Sequence, residues 1–441
     1  MITTIPLDGI DLSLHPFGWL LLLIFIVGYY FIAMEDKYHI DKSKPALFIG
    51  TLMYIMIGGF YAFYGLNFVP FKNEITHLVF EIAQIFFFLY VAMTFVEALI
   101  ERGVFNALKG KLIAKGYNYR ELFWITGFLA FFLSPIADNL TTALILSTVL
   151  ITIEKKNRAF LVPSAVNVVV ASNAGGAWSP FGDITTLMAW TAQKGEFSDF
   201  LYLFPASFLG WIVTAYLLSR YVPDLDPNKD GDPELADKIE ILKGGKIVIA
   251  IGIATIAISV IAKQVLKLPP MWGMLFGLSV LQLYMYSLKR YHKQDVNIFK
   301  SISKIENNTL LFFFGILAAV GALYFAGFLG YVTKLYDTVN PTYINIGVGF
   351  VSAVIDNVPV MSAILKSNPA IDFSQWMLLT LTVGVGGSLI SFGSAAGVGV
   401  MGRMHGIYTF ASHMKLAWTV LIGYVVSIAV WYLQFIVLGI N

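Results

Sequence analysis

The chain has 441 residues, of which 58% are hydrophobic and 13% charged, with a mean hydropathy of +0.75. A soluble domain carries about a quarter charged residues, so a soluble globular protein is excluded. The net charge of +2 points to no nucleic acid, and the lack of cysteine rules out disulfides, thiol catalysis and cysteine-bound metal.

The first apolar runs are Phe17–Met34 and Ala46–Leu66, each near the roughly 20 residues a helix needs to cross a bilayer. They lack the alternation of membrane β-strands, so the class is an all-α polytopic membrane protein. The preceding MITTIPLDGIDLSLHPFG holds no Lys or Arg, unlike the basic start of a cleaved signal peptide. Phe17–Met34 is therefore expected to be a permanent helix. Ile75–Ile100 follows. Leu122–Leu133 and Leu140–Ile153 are too short to span alone and read together as a hairpin with its tip at SPIADN. Phe160–Ser172 runs into NAGGAWSPFGD, and Leu201–Ser219 closes the first half. The acidic stretch Asp224–Glu240 reads as a solvated linker, since its spacing does not fit an EF-hand. Ile247–Ile261, Met271–Leu288 and Leu310–Val332 come next. Tyr343–Ile355 and Val358–Leu365 form a second hairpin around IDN. Trp376–Val385 runs into GVGGSLISFGSAAG, and Leu416–Leu438 is last.

The expected layout is N-terminal helices at 1–74 and a first repeat at 75–220, with hairpin 121–153 and broken helix 160–193. A cytoplasmic linker occupies 221–246 and connecting helices 247–308. A second repeat spans 309–402, with hairpin 343–366 and broken helix 375–402, before a C-terminal loop and helix at 403–441.

Basic residues orient the chain. The loops 35–45, 101–120, 154–159, 220–246, 289–304 and 403–415 hold 23 of the 29 Lys and Arg, and the other side holds 6. The excess marks the cytoplasm and puts both termini outside. The count works if both hairpins are re-entrant, the first from the cytoplasm and the second from outside. Ser134-Pro-Ile-Ala-Asp138-Asn139 then matches Ser352-Ala-Val-Ile-Asp356-Asn357. Gly175-Gly176 with Phe181-Gly182 matches Gly386-Gly387 with Phe392-Gly393 at the same spacing. Opposite entry sides make these inverted repeats, and interrupted segments at matching positions of two halves point to a transporter's binding site.

Irregular backbone survives at membrane depth only beside protein or a water-filled cavity. Asp138, Asp183 and Asp356 fall in these breaks, each at a cost of about 3 kcal/mol on insertion scales. Ser134, Asn139, Thr141, Thr142, Asn173, Ser179, Thr185, Thr186, Ser352, Asn357, Ser388, Ser391 and Ser394 surround them, with no Lys or Arg. Oxygens of this kind suit a hard cation; an oxyanion would want Arg, Lys or a donor-rich nest. Each Asp could also cap the half-helix that follows, and the two roles are compatible. Burial and a like-charged neighbour favour a protonated carboxyl, and a bound cation favours the ionised one. Sodium and protons would then compete, with Asp138 and Asp356 as the exchanging carboxylates and Asp183 as ligand or second proton carrier. The expected sodium ligands are Asp138, Asn139, Asn173, Asp356 and Asn357. His77 and Glu81, at i and i+4, form either a proton-entry or pH-sensing pair or an interfacial ion pair. Glu97 either guides cations or sits at headgroup level. His405 and His413 read as cytoplasmic-loop residues.

SPIADNLTTALIL, SNAGGAWSPFGDITTLMAW and VIDNVPVMSAIL resemble NhaD-type sodium/proton antiporters of the ion transporter superfamily. The resemblance implies a bacterial inner-membrane protein with two inverted repeats, often a homodimer with elevator-like movement. It implies electrogenic exchange of cytoplasmic Na+, and of Li+, for external H+, without a cofactor. It also implies a functional set of Ser134, Asp138, Asn139, Asn173, Asp183, Thr185, Thr186, Ser352, Asp356, Asn357, Ser391 and Ser394, with His77 a further position of interest. Ser394 stands where the first break has Asp183, so the site is expected to be lopsided. Rival readings are an arsenite or sodium-coupled dicarboxylate carrier of the same fold, an intramembrane aspartyl protease and a passive channel. The carboxylate-rich, Arg-free breaks disfavour an anion. Phe181-Gly182-Asp183 lacks the first Gly of the protease G-x-G-D loop, and saturable exchange would exclude a channel.

Overall fold

A computed structural model describes residues 11–38, 40–226, 241–294 and 296–440. The linker expected at 221–246 lies largely outside the described residues. Its first residues are described: Asp224 pairs with Arg120, and the Leu225 carbonyl accepts from Tyr119 N.

The regular structure of the described residues is helical, without a strand among them, and ten of the helices are long and apolar enough to cross a membrane. The first half runs α1 Pro16–Ala33, α2 Glu35–Tyr38, α3 Ser43–Phe63, α4 Val69–Glu101, α5 Val104–Ala114, α6 Tyr119–Ala137, α7 Asn139–Ile153, α8 Arg158–Ala177, α9 Ile184–Thr191 and α10 Phe204–Ser219. Then come α11 Gly245–Gln264, α12 Pro270–His292, α13 Ile298–Ser303, α14 Asn307–Phe325, α15 Gly330–Thr338, α16 Pro341–Val354, α17 Asn357–Ser367, α18 Phe373–Gly386, α19 Ala395–Arg403, α20 Phe410–Met414 and α21 Ala417–Trp431.

Side-chain caps set many of the starts, taking up N–H groups that a helix cannot satisfy itself. Asn118 and Glu121 form a capping box on α6, Asp138 caps α7, Asn157 caps α8 and Asp183 caps α9. Asp372 caps α18 and Ser394 caps α19. The capping box starts α6 three residues before the expected run Leu122–Leu133. Pro135 does not stop it, so α6 reaches 19 residues and is itself long enough to span. Pro135 has no N–H for the Phe131 carbonyl. The bare Cα of Gly175 packs there instead; a Cβ at 175 would lie 2.2 Å from that oxygen.

The packing divides the chain into two units. One comprises residues 1–90, 306–344 and 358–371. In it α3 and α14 touch backbone to backbone: a Cβ on Gly50 would lie 2.3 Å from the Gly315 carbonyl oxygen. Small residues allow this approach, which gives dispersion contacts where lipid offers no hydrophobic gain. Tyr61, Phe71 and Phe325 form an aromatic cluster beside it.

The other unit comprises residues 91–305, 345–357 and 372–441. Here α6 packs on α8, α10 on α21, α11 on α12 and α7 on α19. Its contacts recur at matched positions. Ser134 Oγ donates to the Ser172 carbonyl at 2.6 Å, and Ser352 Oγ to the Val383 carbonyl at 2.9 Å. A Cβ on Gly175 would meet the Phe131 carbonyl oxygen at 2.2 Å, and one on Gly386 the Gly349 carbonyl oxygen at 2.5 Å. Gly176 abuts Gly182, and Gly387 abuts Gly393. The glycine pairs read as interruptions are thus close-packing positions: Gly175, Gly176 and Gly386 are still helical, and the irregular backbone follows at 178–183 and 387–394.

Candidate functional site

The α6–α7 turn places the first residues. Asp138 stands between the helices at φ 58°, ψ 163°, a region that residues with a Cβ rarely enter. Its carboxylate accepts from Thr141 N at 2.8 Å and Thr141 Oγ1 at 2.7 Å, so Asp138 caps α7. The next residue, Asn139, is buried and donates from Nδ2 to Asn173 Oδ1 at 3.1 Å and to Asp183 Oδ2 at 3.0 Å.

Asp183 reaches the same place from the first break. It is only 3% exposed, and its Oδ1 caps α9 by accepting from Thr185 N at 2.9 Å and Thr185 Oγ1 at 3.0 Å. A carboxylate on a helix N-terminus is favoured by the partial positive charge there. Asn357, the first residue of α17, directs Nδ2 at both Asp183 oxygens from 3.4 and 3.5 Å. Asp356 is buried close enough for its charge to act on Asp183.

Asn173 joins the two halves of this unit. Its Nδ2 donates to Ser388 Oγ and Ser394 Oγ, each at 2.8 Å, while its Oδ1 accepts from Asn139. Ser394 Oγ also caps α19 through Gly397 N at 3.3 Å. Around this network Ser179 Oγ donates to the Pro135 carbonyl at 2.9 Å, and Thr186 Oγ1 to the Ala177 carbonyl at 3.3 Å. Buried polar groups are almost always hydrogen-bonded. Yet the hydroxyls of Thr142 in α7 and Ser391 in the second break, like those of Ser164 and Ser172 in α8, are buried without a partner among the described residues.

Asn139, Asn173, Asp183, Thr185, Asn357 and Ser394 therefore form one bonded cluster, with Asp356 beside it. Ser134 and Ser352 brace the hairpins against α8 and α18 and point their hydroxyls at backbone. Asp183, expected as a ligand or second proton carrier, is the hub of these hydrogen bonds. Ser388, noted among the break oxygens but absent from the expected functional set, is a member. Among the described residues, Lys and Arg make none of the cluster's hydrogen bonds.

His77 and Glu81 belong to the first unit. Their side chains are 3.4 Å apart, as the i, i+4 spacing predicts, but Glu81 also accepts from Lys366 Nζ at 2.8 Å, a partner 285 residues away. The Lys366 side chain is 9% exposed against 67% for His77, so the buried cation is the lysine. Glu97 is half-buried in α4 and belongs to the second unit. His405 is exposed, as a loop residue should be; His413 is fully buried.

The profile of the citrate transporter family, CitMHS, matches residues 20–384. The chain is 41% identical to the Na(+)/H(+) antiporter NhaD of Alkalimonas amylolytica, over 96% of this chain and 91% of that one. It is 40% identical to NhaD of Vibrio cholerae, over 96% and 92%. It is 30% identical to sodium/proton antiporter 1 of Arabidopsis thaliana, over 92% and 71%. On a match of this depth across nearly its whole length, the chain belongs to the NhaD-type sodium/proton antiporter family.

Proposed function

We propose that this protein is a secondary transporter that exchanges cytoplasmic sodium for external protons at the cluster centred on Asp183. The observation that carries the proposal is a buried carboxylate, bonded by Asn139 and Asn357 and beside a second buried carboxylate, Asp356, with no cation among its described partners. Two acids so close disfavour both being ionised at once. A sodium ion among the carboxylate, amide and hydroxyl oxygens relieves that repulsion and displaces a proton; a proton returning to Asp183 displaces the sodium. One site thus holds either ion but not both, which is the requirement for antiport. The named activity of the relatives agrees.

The matched contacts of Ser134 with Ser352, Gly175 with Gly386 and Gly182 with Gly393 support two inverted repeats, with re-entrant hairpins at α6–α7 and α16–α17. On this reading Asp138 and Asp356 are the tip carboxylates, and Thr142 and Ser391 supply oxygens to the ion. The exchange is electrogenic, accepts Li+ as well, and proceeds by elevator-like movement in a homodimer of the bacterial inner membrane. The family's citrate description favours a second reading, sodium-coupled carboxylate uptake, but the hydrogen bonds of Asn139, Asn173, Asp183 and Asn357 among the described residues include no guanidinium or ammonium to receive such an anion.

Purified protein in proteoliposomes with an imposed pH gradient separates these readings. Added NaCl is expected to collapse the gradient, as is LiCl, with KCl and potassium citrate inactive. Asp183→Asn should abolish the response, since it removes the charge that sodium and proton share. Gradient collapse by citrate alone, or full activity in the Asp183→Asn protein, would overturn the proposal.

A further inference from the structure

His413 lies on the short helix α20, in a stretch that reads as a cytoplasmic loop, yet its side chain is 0% exposed. Its Nε2 is 3.0 Å from the Ser388 carbonyl oxygen, and its Nδ1 is 2.7 Å from Tyr408 Oη, itself buried at 1% exposure. A carbonyl can only accept, so Nε2 carries the hydrogen. In a neutral ring Nδ1 then accepts, and Tyr408 is its donor. Burial pushes His413 down to about 4, against the pull of the Leu389 and Ser388 carbonyls, so the ring is neutral at physiological pH. The tautomer is fixed from both ends.

Ser388 is the point where this matters. α18 ends at Gly386, and Ser388 stands in the irregular stretch that follows. Its hydroxyl accepts from Asn173 inside the cluster while its carbonyl is turned onto His413. In unwound backbone a carbonyl is free to swing toward a cation. The histidine holds this one, and so fixes which oxygen Ser388 offers to the site.

We propose that His413 is a positioning residue for ion binding: by holding the Ser388 carbonyl it commits the Ser388 hydroxyl, and through it the Asn173 amide, to the site. The inference rests on the cluster being the ion site. It calls for two readouts, one tied to transport and one independent of the ion carried. His413→Leu keeps bulk but removes the donor. It is expected to raise the apparent KM for sodium roughly five- to tenfold, the size of one buried hydrogen bond, with a smaller fall in maximal rate. Hydrogen–deuterium exchange across 387–394 should rise in the same protein. His413→Gln, with an amide N–H at similar reach to Nε2, should restore most of the affinity and protection. If His413→Leu does not fold, Tyr408→Phe tests the same chain of bonds, and a raised KM with faster exchange is expected again. A folded His413→Leu or Tyr408→Phe protein with unaltered KM and exchange would overturn the proposal, as would equal defects in Leu and Gln. Inactive wild-type protein would sink the transport reading alone; the exchange measurement would still decide the role of His413.

Discussion

Asp138 has a backbone that a residue with a Cβ resists, at a cost on the order of 1–3 kcal/mol, and a side chain that offsets part of it by capping α7. Those two effects make its role separable from the fold. Asp138→Gly relieves the backbone, and glycine is itself a tolerable N-cap, losing a few tenths of a kcal/mol. The substituted protein is expected to keep its melting temperature to within a few degrees in detergent and to lose sodium-driven proton movement by at least about tenfold. Retained exchange would reduce Asp138 to a cap. The D-N pairs were legible in the sequence because ionisable residues in apolar runs need a reason to be there. The centrality of Asp183 was not, because it depends on Asn139 and Asn357 arriving from 44 and 174 residues away. His413 was hidden for the same reason: nothing in Phe-Ala-Ser-His-Met-Lys says that its ring is buried on a carbonyl 25 residues earlier.

Glycine decides how the elements fit. Gly175 and Gly386 lie where a Cβ would fall 2.2 and 2.5 Å from backbone carbonyl oxygens of the neighbouring helix, and backbone cannot step aside as a side-chain tip can. Gly175→Ala and Gly386→Ala should each destabilise by about 1–3 kcal/mol, read as a fall in melting temperature and in monodisperse yield. Gly402, also helical but with nothing within 4 Å of an added methyl, is the control: Gly402→Ala should be neutral, or stabilising by roughly 0.5–1 kcal/mol. Equal losses at all three positions would mean that packing is not the cause. The paired motifs announced these matched positions, but their job was misread as interruption. Likewise the length of α6 could not be read from hydropathy, because a capping box of Asn118 and Glu121 extends it at one end and a tolerated Pro135 at the other.

For the whole molecule, the asymmetry of 23 against 6 basic residues makes a statement about topology that no single helix makes. With both hairpins re-entrant, the remaining crossings return the C-terminus to the side of the N-terminus. A periplasm-active phosphatase fused after residue 441 is expected to be active, and a fluorescent protein that matures only in the cytoplasm to stay dark. The opposite pattern would require an odd number of extra crossings, as when α6 spans and α7 does not, and α6 is long enough for that alternative to be real. The helical membrane class was open to view in composition together with the length and pattern of the apolar runs, whereas the number of crossings depends on how two short pairs turn. Asn173 has a further consequence. An amide has a donor end and an acceptor end, and this one faces two serine hydroxyls with the first and another amide's donor with the second. Turning it to present oxygen to those serines would set NH2 against NH2 at Asn139, and Asn139 could not yield without letting go of Asp183. Rearrangement on one side of the cluster thus obliges rearrangement on the other, so a cargo ion would be admitted by all of these groups together or by none.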